Sequence, residues 1–143
     1  MSFNIAIDGP AGAGKSTIAK KIAKELGFVY VDTGAMYRAM ALYFLRSNIS
    51  NEDEQAISRA SENVEITIQY ENGEQQVFLN GENVSGEIRK EEVGNMASKT
   101  SGYGQVRKKL VELQQQLAKK ADVVMDGRDI GTVVLPDAQV KVY

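Results

Sequence analysis

Gly9-Pro10-Ala11-Gly12-Ala13-Gly14-Lys15-Ser16 fits the pattern G-x-x-x-x-G-K-[ST], and no other feature of the chain constrains its fold as strongly. Such a loop needs a strand before it and a helix after it. Phe3 to Asp8 is a short apolar run without helical period, which reads as a buried parallel strand. From Ser16 to Leu26, apolar residues recur at Ile18, Ala19, Ile22, Ala23 and Leu26, with Gly27 placed to stop a helix. The glycines let backbone N–H groups curl around phosphate oxygens without Cβ clashes, and the helix N-terminus favours the same anion. Lys15 would reach the β- and γ-phosphates and Ser16 would ligate magnesium. The pattern alone gives chance matches; the flanking strand and helix supply its context. A chain with this loop in this setting is expected to hold the phosphates of a nucleoside triphosphate.

The rest of the chain alternates strands and helices. Phe28 to Val31 reads as a second strand and Gly34 to Ser47 as a helix, with Met36, Tyr37, Met40, Ala41, Phe44 and Leu45 on one stripe. Asn51 with Glu54 resembles a capping box opening a helix to about Ser61. Val64, Ile66, Ile68 and Tyr70 then alternate with polar residues, as does Gln75 to Asn80, across a turn at Asn72-Gly73; Asn80-Gly81 supplies a second turn. About Asn63 to Glu87 is therefore a small antiparallel insert. Helices resume from Arg89 to about Lys99. After a break at Ser101 to Gly104, Val106, Leu110, Leu113 and Leu117 mark an amphipathic helix. Asp122 to Met125 and Gln139 to Tyr143 read as third and fourth strands. The predicted class is α/β: a P-loop NTPase-type parallel sheet, three-layer α/β/α, carrying a small antiparallel β insert. The chain stops inside its last apolar strand, so a longer polypeptide with a further C-terminal part is expected, and an exposed final strand favours self-association.

Composition narrows the chemistry. The 143 residues carry a net charge of −2, which argues against a general nucleic-acid or membrane-surface binder. There are no cysteines and no histidines, which removes thiolate chemistry, the commonest general base and most transition-metal sites. Magnesium needs only oxygen ligands and remains. No apolar run approaches the ~20 residues of a membrane span, and no secretory signal opens the chain, so a cytoplasmic location is expected.

Asp122-Val-Val-Met-Asp126 resembles a Walker-B strand, in which Asp126 would hold magnesium directly or through water; the alternative is an aspartate capping the next turn. No base-reading Asn/Lys-x-x-Asp segment of a GTPase is present, and the early loop in a small chain favours a small-molecule kinase. Ligands of an open parallel sheet bind beyond the carboxyl ends of its strands. Three such ends carry the P-loop, Asp32-Thr-Gly-Ala-Met-Tyr-Arg38 and Asp126-Gly-Arg-Asp-Ile-Gly-Thr132. Lys15, Arg38 and Arg128 offer three positive charges for two phosphate groups that must meet.

Together with Val84-Ser-Gly-Glu-Ile-Arg89, these segments make the chain resemble the bacterial cytidylate kinases of the P-loop nucleoside monophosphate kinase superfamily. The resemblance runs along nearly the whole chain. It implies transfer of the γ-phosphoryl of ATP to CMP or dCMP, with Mg2+ accompanying ATP. Residues 1–62 and 119–143 would then form the P-loop core, and 63–118 a monophosphate-binding region with the insert at about 63–87. The resemblance implies that Gly9, Pro10, Ala11, Gly12, Ala13, Gly14, Lys15, Ser16 and Thr17 bind the ATP phosphates. Thr33 and Tyr37 would sit in the monophosphate pocket, Arg38 and Arg128 would clamp the acceptor phosphate, and Ser98, Arg107 and Asp129 would read cytosine. Lys15, Arg38 and Arg128 would be catalytic and Ser16 and Asp126 metal ligands. Members of the family continue past this strand into an arginine-rich lid, so the chain alone is expected to be a very poor kinase. The other class of reading is a nucleotide-binding fragment without catalysis. A full-length parent would be monomeric.

Each residue also has a plainer reading. Arg107 opens a Lys/Arg-rich helix whose default is a solvated face. Ser98 could be a helix-terminal hydroxyl, Tyr37 could only pack, Arg38 could make a surface ion pair, and Asp129 could cap a turn.

Overall fold

The computed structural model describes residues 2–8, 15–71, 74–127 and 130–142, excepting the side chains of residues 15, 16, 70 and 71. The chain divides into two compact units, Met1–Thr33 with Gln114–Tyr143, and Gly34–Leu113.

The first unit is built on a four-stranded parallel sheet in the order β2-β6-β1-β7, from β1 (Asn4–Asp8), β2 (Val29–Asp32), β6 (Val123–Gly127) and β7 (Val140–Val142). The apolar runs become its inner strands because a parallel strand buried on both faces needs apolar residues in succession. Ile5, Ala6 and Ile7 of β1 and Val123, Val124 and Met125 of β6 are all buried. Helix α1 (Lys15–Leu26) packs on β1, β2 and β6. Its Ala19 and Ala23 join Ile5, Ile7, Tyr30 and Val124 in one core cluster, with Ile22 and Phe28 against it. Gly27 ends the helix at φ +71°, the left-handed stop that its position predicts. The edge strand β7 leaves Val140 and Val142 exposed.

Strand β6 runs two residues past its expected end at Met125. Backbone pairing continues through Ile7 with Asp126 and Asp8 with Gly127 on one side, and Asp32 with Asp126 on the other. Ladder pairing on both sides, rather than side-chain polarity, sets where the strand stops. A π-helical turn at Ile130–Val134 follows, closed by the Leu135 N–H on Ile130 O at 2.6 Å.

The second unit holds the antiparallel sheet β3 (Ile66–Glu71), β4 (Glu74–Leu79) and β5 (Glu82–Asn83) in the expected insert, in sequence order. The expected turn at residues 72–73 lies outside the described residues. The second turn is as its residues demand: Asn80 and Gly81 both take positive φ, 50° and 86°. Asn80 also accepts the Glu65 N–H at 2.9 Å through its side chain. Helix α2 (Thr33–Arg46) opens at the last residue of the first unit and continues into the second, where Met36, Met40 and Phe44 are fully buried. Helix α3 (Glu54–Ser61) is capped by Asp53, whose carboxylate accepts the Ala56 N–H at 3.2 Å. The expected Asn51 cap is thus replaced: Asn51 lies outside the helix, and its carbonyl accepts the Tyr103 hydroxyl at 2.6 Å. A single 3-10 turn at Glu87–Arg89 leads into α4 (Glu91–Thr100). Helix α5 (Gly104–Lys120) buries Val106, Leu110 and Leu113.

Among the described residues no helix is long and apolar enough to cross a membrane.

Candidate functional site

The strand order locates a ligand crevice in the first unit. The chain leaves β1 toward β2 on one side and leaves β6 toward β7 on the other. Ligands of open parallel sheets bind outside the carboxyl ends where connections diverge in this way. Here the two carboxyl ends are those of the neighbours β1 and β6, at Asp8 and Gly127.

Asp126 sits at that point and is only 3% exposed. Side chains alternate along a strand, so Asp126 shares its sheet face with Val124, which belongs to the cluster under α1. That is the face of the helix that follows the glycine loop. A buried carboxylate must be hydrogen-bonded. The Tyr30 hydroxyl, on the adjacent strand β2, donates to Asp126 Oδ2 at 2.8 Å. The Lys20 ammonium of α1 stands 5.8 Å from the centre of the Tyr30 ring.

Asp8 shapes the same end from the other face. Its two carboxylate oxygens accept the Ile130 N–H at 2.6 Å and the Gly131 N–H at 2.9 Å. These bonds tie the end of β1 to the start of the π turn. Thr33 is 5% exposed and donates its hydroxyl to Asp126 O at 2.9 Å, joining the first residue of α2 to the end of β6. Gly127 lies against this hydroxyl: a Cβ there would collide with Thr33 Oγ1 and stand 3.1 Å from Ile130 Cδ1.

Lys15 and Ser16 are the first two residues of α1, and Thr17 is exposed on it. Gly9, Pro10, Ala11, Gly12, Ala13 and Gly14 lie outside the described residues, as do Arg128 and Asp129.

In the second unit, Arg38 is exposed on α2, and its Nη1 donates to Ile88 O at a long 3.5 Å. Among the described residues it makes no salt bridge. Tyr37 is half-buried. Ser98 on α4 and Arg107 on α5 are both exposed. In this unit Arg46 pairs with Glu82 at 2.9 Å and with Glu87 at 2.8 Å.

The sequence model of the family described as cytidylate kinase matches residues 5–143. The chain belongs to the cytidylate kinase family. It is 54% identical to the cytidylate kinase of Caldicellulosiruptor saccharolyticus over 141 residues, 99% of this chain and 62% of that protein. It is 55% identical to that of Caldanaerobacter subterraneus subsp. tengcongensis over all 143 residues, 62% of that protein. A Bacillus cereus cytidylate kinase is 52% identical over 141 residues, 99% of this chain and 63% of that protein. The chain thus spans a little over three fifths of the length of these relatives.

For a cytidylate kinase family chain, the donor set at the strand ends fits magnesium. Asp126 would supply a hard oxygen ligand, with one carboxylate oxygen fixed by Tyr30. Among the described residues no group of three or more acidic, histidine or cysteine side chains could hold a metal ion. A single carboxylate beside substrate phosphates is the arrangement magnesium uses in nucleotide sites. Tyr30, Asp8 and Gly127 are not among the site residues expected from the sequence. Asp8 alone carried a signal, as a charge closing an apolar strand; the other two act through residues about 95 positions away in the chain.

Proposed function

We propose that the protein is a nucleoside monophosphate kinase that moves the γ-phosphoryl of ATP to CMP or dCMP. The observation that carries this reading is the burial of Asp126 at the carboxyl end of β6, on the sheet face under the helix that follows the glycine loop. Family membership supports the acceptor, since the relatives named above are cytidylate kinases.

In this reading Gly9 to Thr17 hold the ATP phosphates. Ser16 and Asp126 hold magnesium, which when bound would neutralise charge on the β- and γ-phosphates. The acceptor phosphate is already ionised, so one of its oxygens attacks the γ-phosphorus and no strong base is needed. The bond to the β-phosphate oxygen breaks and ADP leaves. Lys15, Arg38 and Arg128 offset the charge that must come together, which is where most of the catalysis in such transfers lies. Thr33 and Tyr37 belong to the acceptor phosphate pocket.

Ser98, Arg107 and Asp129 read the base. Cytosine presents an amine beside two acceptors; a carboxylate accepts from the amine, and arginine and serine donate to the acceptors. Uracil has a carbonyl in place of the amine, which leaves Asp129 unpaired. That costs about 1–3 kcal/mol, roughly ten- to a hundred-fold in affinity.

Equilibrium titration of CMP, dCMP, UMP, AMP and GMP, with a non-hydrolysable ATP analogue present, tests the assignment. CMP and dCMP should bind at least about tenfold more tightly than UMP. Equal binding of CMP and UMP would contradict it.

A further inference from the structure

Gly94 lies within α4, where glycine is less favourable than alanine because of its backbone entropy. Its backbone does not require glycine, since the positive-φ glycines among the described residues are Gly27, Gly81 and Gly127. Space limits only residues longer than alanine. A Cβ on Gly94 would stand 3.6 Å from Arg38 Nη2 and 3.8 Å from Arg38 Cζ. The guanidinium of Arg38 therefore lies beside Gly94, at contact distance from where a Cβ would stand and in the path of a side chain longer than alanine.

The other wall of this seat is Ile88 O, 3.5 Å from Arg38 Nη1. Carbonyl and glycine belong to one continuous piece of backbone. Ile88 lies in the 3-10 turn, Lys90 ends that turn and caps α4, and the Gly94 N–H returns to Lys90 O at 3.2 Å. Val84, Ile88 and Val93 are buried and anchor the piece. The seat touches one edge and one face of the guanidinium and brings no carboxylate to it. Arginine has five N–H donors and stays charged, so a group held this way keeps most of its donors and its full charge for an anion.

We propose that Gly94 is a positioning residue for Arg38: the lack of a side chain longer than alanine there leaves the guanidinium in place for the phosphate of the acceptor nucleotide. This rests on the reading of Arg38 as the clamp on that phosphate. Alanine makes only ordinary contact at 3.6 Å and is tolerated. A leucine fills the seat and displaces the guanidinium, although leucine is itself a good helix former.

The test is calorimetric titration of the chain with CMP and, separately, with cytidine, which lacks the phosphate. Arg38→Ala and Gly94→Leu should each weaken CMP by about tenfold, the loss of a charge-assisted contact. Cytidine affinity should stay within about twofold, as should CMP affinity of Gly94→Ala. The double variant Arg38→Ala/Gly94→Leu should bind CMP no worse than Arg38→Ala, because the two changes remove the same contact. Thermal melts check folding. If the leucine variant does not fold, Gly94→Ser, one atom longer than alanine, should still weaken CMP more than cytidine. Wild-type CMP affinity in Gly94→Leu beside a weakened Arg38→Ala overturns the role of Gly94 alone, as do additive losses in the double variant. Wild-type CMP affinity in Arg38→Ala overturns the clamp reading, and the role of Gly94 with it.

Discussion

The Tyr30 hydroxyl donates to Asp126 Oδ2 at 2.8 Å, from β2 to its parallel neighbour β6, with both residues less than 5% exposed. A buried hydrogen bond to a charged group contributes about 1.5–3 kcal/mol. Tyr30→Phe keeps the ring in the core cluster and deletes only the hydroxyl. The expected result is a Tm lower by roughly 3–8 °C. If Asp126 holds magnesium, the same variant should also need more magnesium to bind ATP, measured by titration at fixed nucleotide. An unchanged Tm and an unchanged magnesium requirement would show that the bond orients nothing.

Gly127 should not accept a side chain. Its Cβ would meet Thr33 Oγ1, which is held against Asp126 O, and its φ of +157° suits glycine. Gly127→Ala is expected to lose about 1–3 kcal/mol by overpacking. Adding Thr33→Ala should recover part of that loss, because it removes the clashing oxygen. Urea midpoints of the two single variants and the double variant measure the coupling, and simple additivity would refute the contact.

Asp8 should control the segment after β6. Asp8→Ala removes the acceptor for two backbone N–H groups, those of Ile130 and Gly131. Amide exchange at these two positions should speed up by about tenfold or more, as one hydrogen bond's worth of protection is lost. Asp8→Asn, which keeps one good acceptor, should fall between. Unchanged exchange in Asp8→Ala would mean that the π turn is held by its packing alone.

The sheet was legible because its inner strands carry apolar runs, the first of them ending at a glycine loop, and the insert because its residues alternate around Asn-Gly turns. Local chemistry read less well where neighbours compete: Asn51 and Asp53 both suit a helix cap, and Asp53 holds it while Asn51 O takes the Tyr103 hydroxyl. The π turn at Ile130–Val134 has no sequence period of its own, and distant bonds to Asp8 hold its start. Arg38 and Asp126 stood out as charges near strand ends. Tyr30 and Gly94 did not, because a tyrosine in an apolar strand and a glycine in a helix reveal their contacts only once chain segments 56 or more residues apart are brought together.

Acid should weaken one surface network. Hydrogen bonds from Arg46, and then its charge, hold the Glu82 carboxyl below its ordinary value near 4.5. A lowered carboxylate pKa means that the stabilisation is present above about pH 4.5 and is lost as pH falls through the folded value. Arg46→Met should therefore flatten the acid limb of the stability curve below pH 4.5 and change little at neutral pH, where the exposed pairs are screened. Urea midpoints at successive pH values, at low and high salt, measure it. An acid limb as steep in the variant as in the wild type would assign that limb to other carboxylates.

A single-turnover transfer experiment tests the cytidylate phosphoryl-transfer reading at its centre. The chain is held in excess over γ-labelled ATP and magnesium, with CMP or UMP as acceptor, and the labelled product is identified. Label is expected in CDP, formed slowly by this chain alone yet roughly ten- to a hundred-fold faster than in UDP. Label that appears in UDP as fast as in CDP, or in inorganic phosphate alone, would contradict it.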